Sequence, residues 1–250
     1  VLLEDGRLDP AANNNYAIRW ASEKGHTQIV KMFLKDGRVD PSQYDDYCIR
    51  LASETGRTEE VKILLEDERV DPTACGNYAI RLASENGHTE AVKILLEDER
   101  VDPAAYTNSA IRRASEFGHV EVVKILLEDK RADPSAGDNH AIRLAFKNNH
   151  TKVIKILLND VRVDPFAIEK HPIQWASKNR HTEVVNLLLN DKQFDSSACK
   201  NRLLQLMSHY GHSKVVKNLL YDNRVDPSAD NNRSIRWLPK VAIPKWCRCY

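Results

Sequence analysis

What this sequence lacks narrows it first. An excess of charge of one sign is missing: 37 lysines and arginines stand against 36 aspartates and glutamates, a net of +1. A chain this neutral has no global field with which to gather nucleic acid or an acidic membrane surface, so neither is expected as a partner. No apolar run approaches the ~18 residues a membrane span needs, and the short, charged start from Val1 to Arg7 does not read as a secretory signal. The five cysteines, Cys48, Cys75, Cys199, Cys247 and Cys249, are odd in number and irregular in spacing. They make no disulfide framework, which points to a reducing intracellular compartment, the cytoplasm. Cys247 and Cys249 stand too close for a zinc knuckle and no histidine adjoins them, so no metal is expected.

The motifs of common chemistries are missing too. There is no Walker loop, dinucleotide fingerprint, H-E-x-x-H or G-x-S-x-G. His140, His171 and His209 have no Cys, Ser or Asp arranged as a nucleophile requires. The expectation is a protein with no catalytic residues, no cofactor and no small-molecule substrate.

What is present is a repeat. Asp9-Pro10, Asp40-Pro41, Asp71-Pro72, Asp102-Pro103, Asp133-Pro134 and Asp164-Pro165 follow one another at 31 residues, and Asp195-Ser196 and Asp226-Pro227 continue the series. Each unit holds two apolar patterns at helical spacing, such as Ala79, Ile80, Ala83 and then Val92, Ile94, Leu95, Leu96. Asn77 and its equivalents Asn15, Asp46, Asn108, Asn139, Asn201 and Asn232 read as N-caps of the first helix. Gly25, Gly56, Gly87, Gly118 and Gly211, with Asn149 once, fit a left-handed residue between the two helices. The spacing predicts inner helices near 16–24, 47–55, 78–86, 109–117, 140–148, 171–179 and 202–210. Outer helices are expected near 27–35, 58–66, 89–97, 120–128, 151–159, 182–190 and 213–221. Neither helix can bury its apolar side alone, so the units must stack into one continuous core.

The strings Tyr78-Ala79-Ile80-Arg81, Ala83-Ser84, Gly87-His88 and Leu95-Leu96, and His171-Pro172-Ile173-Gln174 in the sixth unit, resemble the ankyrin repeat. The resemblance implies an all-α, ankyrin-like helical repeat solenoid that binds other proteins through loop tips and the inner-helix face. It covers residues 1–238: a partial repeat, seven full repeats and the start of an eighth. The period is two residues shorter than the common 33, and the missing residues lie where ankyrin units carry a β-hairpin. Short loops are therefore expected in place of full hairpins. Arg19, Arg50, Arg81, Arg112, Arg143 and Arg236 replace the usual histidine of the first helix.

This arginine column has two readings: a track for phosphate or acidic ligands, or internal ties to loop carbonyls or to the Asp column of Asp36, Asp67, Asp98, Asp129 and Asp160. A second arginine column, Arg38, Arg69, Arg100, Arg131 and Arg162, runs in register with those aspartates. Matching columns of opposite charge favour the internal reading. His26, His88, His119, His150, His181 and His212 recur after the inter-helix residue and are expected to hydrogen-bond the turn. Lys93 and Lys124, three residues after Glu90 and Glu121, read as a solvated face with weak ion pairs.

Positions that vary between units are the candidates for binding. They are Tyr44 and Tyr106 at the loop tips, Tyr16, Tyr47, Tyr78, His140 and His171 at the start of the inner helix, and Phe117 and Tyr210 late in it. Tyrosine offers the large contact area and hydroxyl that binding hot spots favour. Packing of Tyr16, Tyr47 and Tyr78 between repeats is an equal alternative, and Trp20 and Trp175 are expected between layers. Val1-Leu2-Leu3 matches the end of an outer helix, so further repeats are expected upstream. Residues 239–250 leave the repeat. With Trp237, Lys240, Lys245 and Trp246 they form a basic, aromatic strip expected to cap the array, with docking to a partner as the alternative. The competing function is a structural subunit of a larger assembly, held by the open first repeat or by this tail.

Overall fold

The computed structural model describes residues 9–163 together with 176, 179, 181–189, 201, 204–205, 207–209, 211–221 and 225–226. The chain divides into two compact units, Val1–Val163 and Asp164–Tyr250. In the first, five helix pairs follow one another: α1 (Ala12–Lys24) and α2 (Thr27–Leu34), α3 (Gln43–Glu54) and α4 (Thr58–Leu65), α5 (Ala74–Glu85) and α6 (Thr89–Glu97), α7 (Ala105–Phe117) and α8 (Val120–Glu128), α9 (Ala136–Lys147) and α10 (Thr151–Leu158). In the second unit α11 (Thr182–Leu189) and α12 (Ser213–Leu220) are the outer helices of two further repeats. No strand occurs among the described residues. The fold is the all-α repeat solenoid that the period implied, and loops stand where hairpins would project.

Stacking is the reason the pairs are stable. Inner helix packs on inner helix and outer on outer from each repeat to the next. Ala21, Ala52, Ala83, Ala114 and Ala145 are buried where the inner helices approach, and Ile18, Ile49, Ile80, Ile111 and Ile142 lie under them. Val61, Val92, Val123 and Ile154 fill the outer layer with Leu64, Leu95, Leu126 and Leu157. Each large aliphatic side chain so buried contributes about 1.5–3 kcal/mol. In the second unit Val184, Val185, Val215 and Val216 repeat the outer pattern.

The entry to each inner helix differs from expectation. The residues read as N-caps do not cap. Asn13-Asn14-Asn15, Tyr44-Asp45-Asp46, Cys75-Gly76-Asn77, Tyr106-Thr107-Asn108 and Gly137-Asp138-Asn139 each form a turn of left-handed helix, with every φ between 53° and 66°. The right-handed inner helix begins only after this turn, near the positions the spacing predicts. The Asp of Asp-Pro closes the loop ahead of this turn, its carboxylate accepting the N–H two residues on. Asp40 takes it from Ser42 at 3.0 Å, Asp71 from Thr73 at 2.9 Å and Asp102 from Ala104 at 2.9 Å.

The Asn column has a longer reach. Its side-chain oxygen accepts the backbone N–H of the next repeat's Asp. Asp40 donates to Asn15 at 2.9 Å, Asp102 to Asn77 at 2.7 Å, Asp133 to Asn108 at 2.6 Å and Asp226 to Asn201 at 2.8 Å. The histidine column also bonds a neighbour and not its own turn. Nε2 of His88, His119 and His150 donates to the carbonyls of Glu54, Glu85 and Glu116, each at 2.8 Å. The second arginine column completes the set. Arg100 is held by Asp98 at 2.6 Å and donates to Val70 O at 3.0 Å and Leu65 O at 3.5 Å. Arg131 and Arg162 repeat the pattern on Val101 and Leu96, and on Ala132 and Leu127. These guanidinium groups satisfy carbonyls at and beyond the end of the preceding outer helix, which no intrahelical donor reaches.

Candidate interaction face

The first arginine column lies where the left-handed turns meet the inner helices. Arg50 donates from Nε to Asp45 O and from Nη2 to Tyr44 O, both at 2.7 Å. Arg81 donates to Gly76 O at 3.1 Å and Cys75 O at 2.8 Å, and Arg19 does the same to Asn14 and Asn13 at 3.2 and 3.4 Å. Arg112 reaches Tyr106 O at 2.9 Å and Arg143 reaches Gly137 O at 3.4 Å. The arginines therefore tie loop carbonyls, as the internal reading expected. The aspartate column is not their partner; it pairs with the second arginine column. In each turn the carbonyls of left-handed residues point where no helical donor comes, and the arginine of the same repeat supplies one.

The tyrosines build on this. Arg19 lies over the rings of Tyr16 and Tyr44, at 5.8 and 4.5 Å from their centroids. Arg50 lies near Tyr47 and Tyr78, and Arg81 near Tyr78 and Tyr106 at 4.7 and 4.4 Å. Each cation thus stacks on a ring of its own repeat and one of the next, a favourable cation–π geometry. In the fourth and fifth repeats a histidine takes over: Arg112 Nη1 donates to His140 Nδ1 at 3.3 Å. Burial, then the Arg112 and Arg143 charges, pushes the His140 imidazole below its ordinary range.

Burial divides these aromatics by position. Tyr47, Tyr78 and His140 are half-buried in the stack. Tyr16, Tyr44, Tyr106 and Phe117 remain about half or more exposed, at 54, 52, 62 and 48%. Trp20, expected between layers, is instead exposed, its ring 5.6 Å from that of His26. His171 and Tyr210 lie outside the described residues, as do Trp237, Lys240, Lys245, Trp246 and the rest of the tail. The left-handed turn was missed in the sequence. Its signal is the run of Asn, Asp and Gly at the loop tips, the residues that tolerate positive φ.

No group of three or more metal-ligating side chains occurs among the described residues. None of the described helices is long and apolar enough to cross a membrane.

Helix pairs at a fixed period, joined by a Gly-His turn and stapled side by side, define a stacked helical-repeat protein. The ankyrin-repeat family model matches residues 13–46, and the model of three ankyrin copies in tandem matches 49–138 and 142–233, so the chain belongs to the ankyrin-repeat family. A comparison with curated proteins finds no match. Ankyrin repeats are generally protein–protein interaction modules and typically non-enzymatic.

Proposed function

We propose that this array recognises a partner protein through its loop tips and inner-helix face, with Tyr16, Tyr44, Tyr106 and Phe117 as the main contacts. One observation carries the reading: large aromatic side chains stay exposed at positions the repeat does not dictate, while the recurring asparagine, histidine and arginine columns make internal bonds. Rigid aromatic anchors lose little side-chain freedom on binding, and hot spots favour them. Arg19, Arg50 and Arg81 beneath are spoken for by carbonyls and rings, which favours a protein partner over a phosphate track. The free thiols Cys48 and Cys75 suit a reducing cytoplasm.

The test is affinity capture with the full chain beside a Tyr44→Ser/Tyr106→Ser/Phe117→Ser variant. The variant should lose the captured protein while its thermal midpoint stays within a few degrees of the parent. Undiminished capture by the folded variant contradicts the assignment.

A further inference from the structure

A repeat array carries its own control. A residue that recurs is set by the fold, and a buried departure from the recurrence has another cause. The second repeat departs at three positions that meet in one place. Glu60 stands in the first turn of α4 where the other units have Ala91, Val122, Val153, Val184 and Val215. Cys48 stands in α3 where they have Ala17, Ala79, Ala110 and Ala141. Arg57 stands in the column of His88, His119 and His150. All three face the end of α1. Arg57 donates to Ser22 O and, at 2.7 Å, to Glu23 O. The Ser22 hydroxyl faces both Cys48 and Glu60.

Glu60 is completely buried, and neither of its carboxyl oxygens has a hydrogen-bond partner. Ser22 Oγ eases the charge but falls short of a well-formed hydrogen bond. The groups facing the carboxyl are Ser22 of α1, Cys48 of α3 and Arg57 at the head of its own helix. Helices α2 and α6 also pack on α4, and among the described residues they bring no charge that acts on it. Arg57 is itself committed to the α1 carbonyls. Asp46 and Arg19 lie further along the same seam and act on Cys48.

An unpaired buried carboxylate is costly, and a neutral acid far less so. We propose that Glu60 makes the seam between the first and second repeats proton-sensitive: the first repeat stays docked while the carboxyl is protonated, and α1 and α2 part from α3 and α4 when it ionises and draws in water. Burial pushes this carboxyl up to about 7. The docked form holds the proton more tightly than the open one. The seam is therefore firmest in acid, weakens as the pH rises toward about 7, and changes little above that. Opening would carry Tyr16 and Trp20 away from the other exposed aromatics.

Cys48, buried at this seam, and Cys75, exposed, supply the test. The full chain is labelled with N-ethylmaleimide from pH 5 to pH 8, and each cysteine is read by peptide mass spectrometry. Labelling of the exposed Cys75 in the same sample is the reference, so the ratio of Cys48 to Cys75 labelling reports opening at the seam. The ratio should climb by up to roughly tenfold per pH unit below neutrality and then level off. In an Asp46→Asn background, which removes the other raised carboxyl near Cys48, it should be flat in Glu60→Val, which installs the valine of the later repeats, and in Glu60→Gln, which keeps the shape without the charge. Asp46→Asn should leave the climb in place. A flat ratio in the unaltered chain overturns the proposal, and so does a climb that survives both Glu60 substitutions.

Discussion

At the scale of single residues the left-handed turn makes the sharpest demands. A residue with a β-carbon held at positive φ costs of order 1–2 kcal/mol, less for Asn or Asp and least for Gly. Thr107 is β-branched, exposed and sits at φ 56°. Thr107→Asn should therefore stabilise the protein by about 0.5–1 kcal/mol, seen as a higher urea midpoint with unchanged slope. Asp46 is the one acid in a column of asparagines. Burial pushes its carboxyl up to about 6, because the charged form is poorly solvated and Asp71 and Asp40 repel it. The fold thus favours the protonated acid. Its contribution is fully present below about pH 4 and is lost as the pH rises through about 6. Asp46→Asn keeps the acceptor for the Asp71 N–H, 2.8 Å away, without the charge. Urea titrations should show the variant ahead of the parent at pH 7.5, with the gap closing toward pH 4. A gap that does not depend on pH would mean that Asp46 stays ionised throughout.

At the scale of elements, the repeats are held by staples between neighbours. Arg131→Ala removes two donors to the carbonyls of Val101 and Leu96 and strands Asp129. It should cost about 1–2 kcal/mol in equilibrium unfolding. Arg131 also holds the Asp129 carboxyl below its ordinary range through the side-chain hydrogen bond. A depressed carboxyl stabilises the fold above its unfolded pKa, so this contribution fades as the pH falls below about 4. Gly118 bears two constraints: φ is 79°, and a β-carbon there would lie 2.6 Å from Nδ1 of His150 in the next repeat. Gly118→Ala should cost about 2 kcal/mol or more, beyond the backbone term alone. The helix pairs, their period and the glycine turn were legible in the sequence because apolar spacing and Gly report local conformation directly. The partners of the columns were not. Asn77 reads equally as a helix cap and as a clamp on Asp102, since sequence shows which residues recur and not which repeat they reach into. Arg81 and Arg100 look alike in a column, yet one serves its own loop and the other the repeat before it.

For the molecule as a whole, recurrence and variation divide the labour. The recurring asparagine, histidine and arginine columns make bonds between or within repeats, and the variable aromatics are left outside. The exposed aromatic face was legible at Tyr16, Tyr44, Tyr106 and Phe117, because nothing in the unit requires an aromatic there. It was misread at Trp20, where leucine in other units suggested a packing role. Urea unfolding of matched variants tests this division most directly, with Asn108→Ala, His119→Ala and Arg100→Ala set beside Tyr44→Ser, Tyr106→Ser and Phe117→Ser. The column variants should each lose about 1–3 kcal/mol, the cost of an unmet buried partner, while the face variants lose no more than about 1. Equal losses in the two sets would contradict the account.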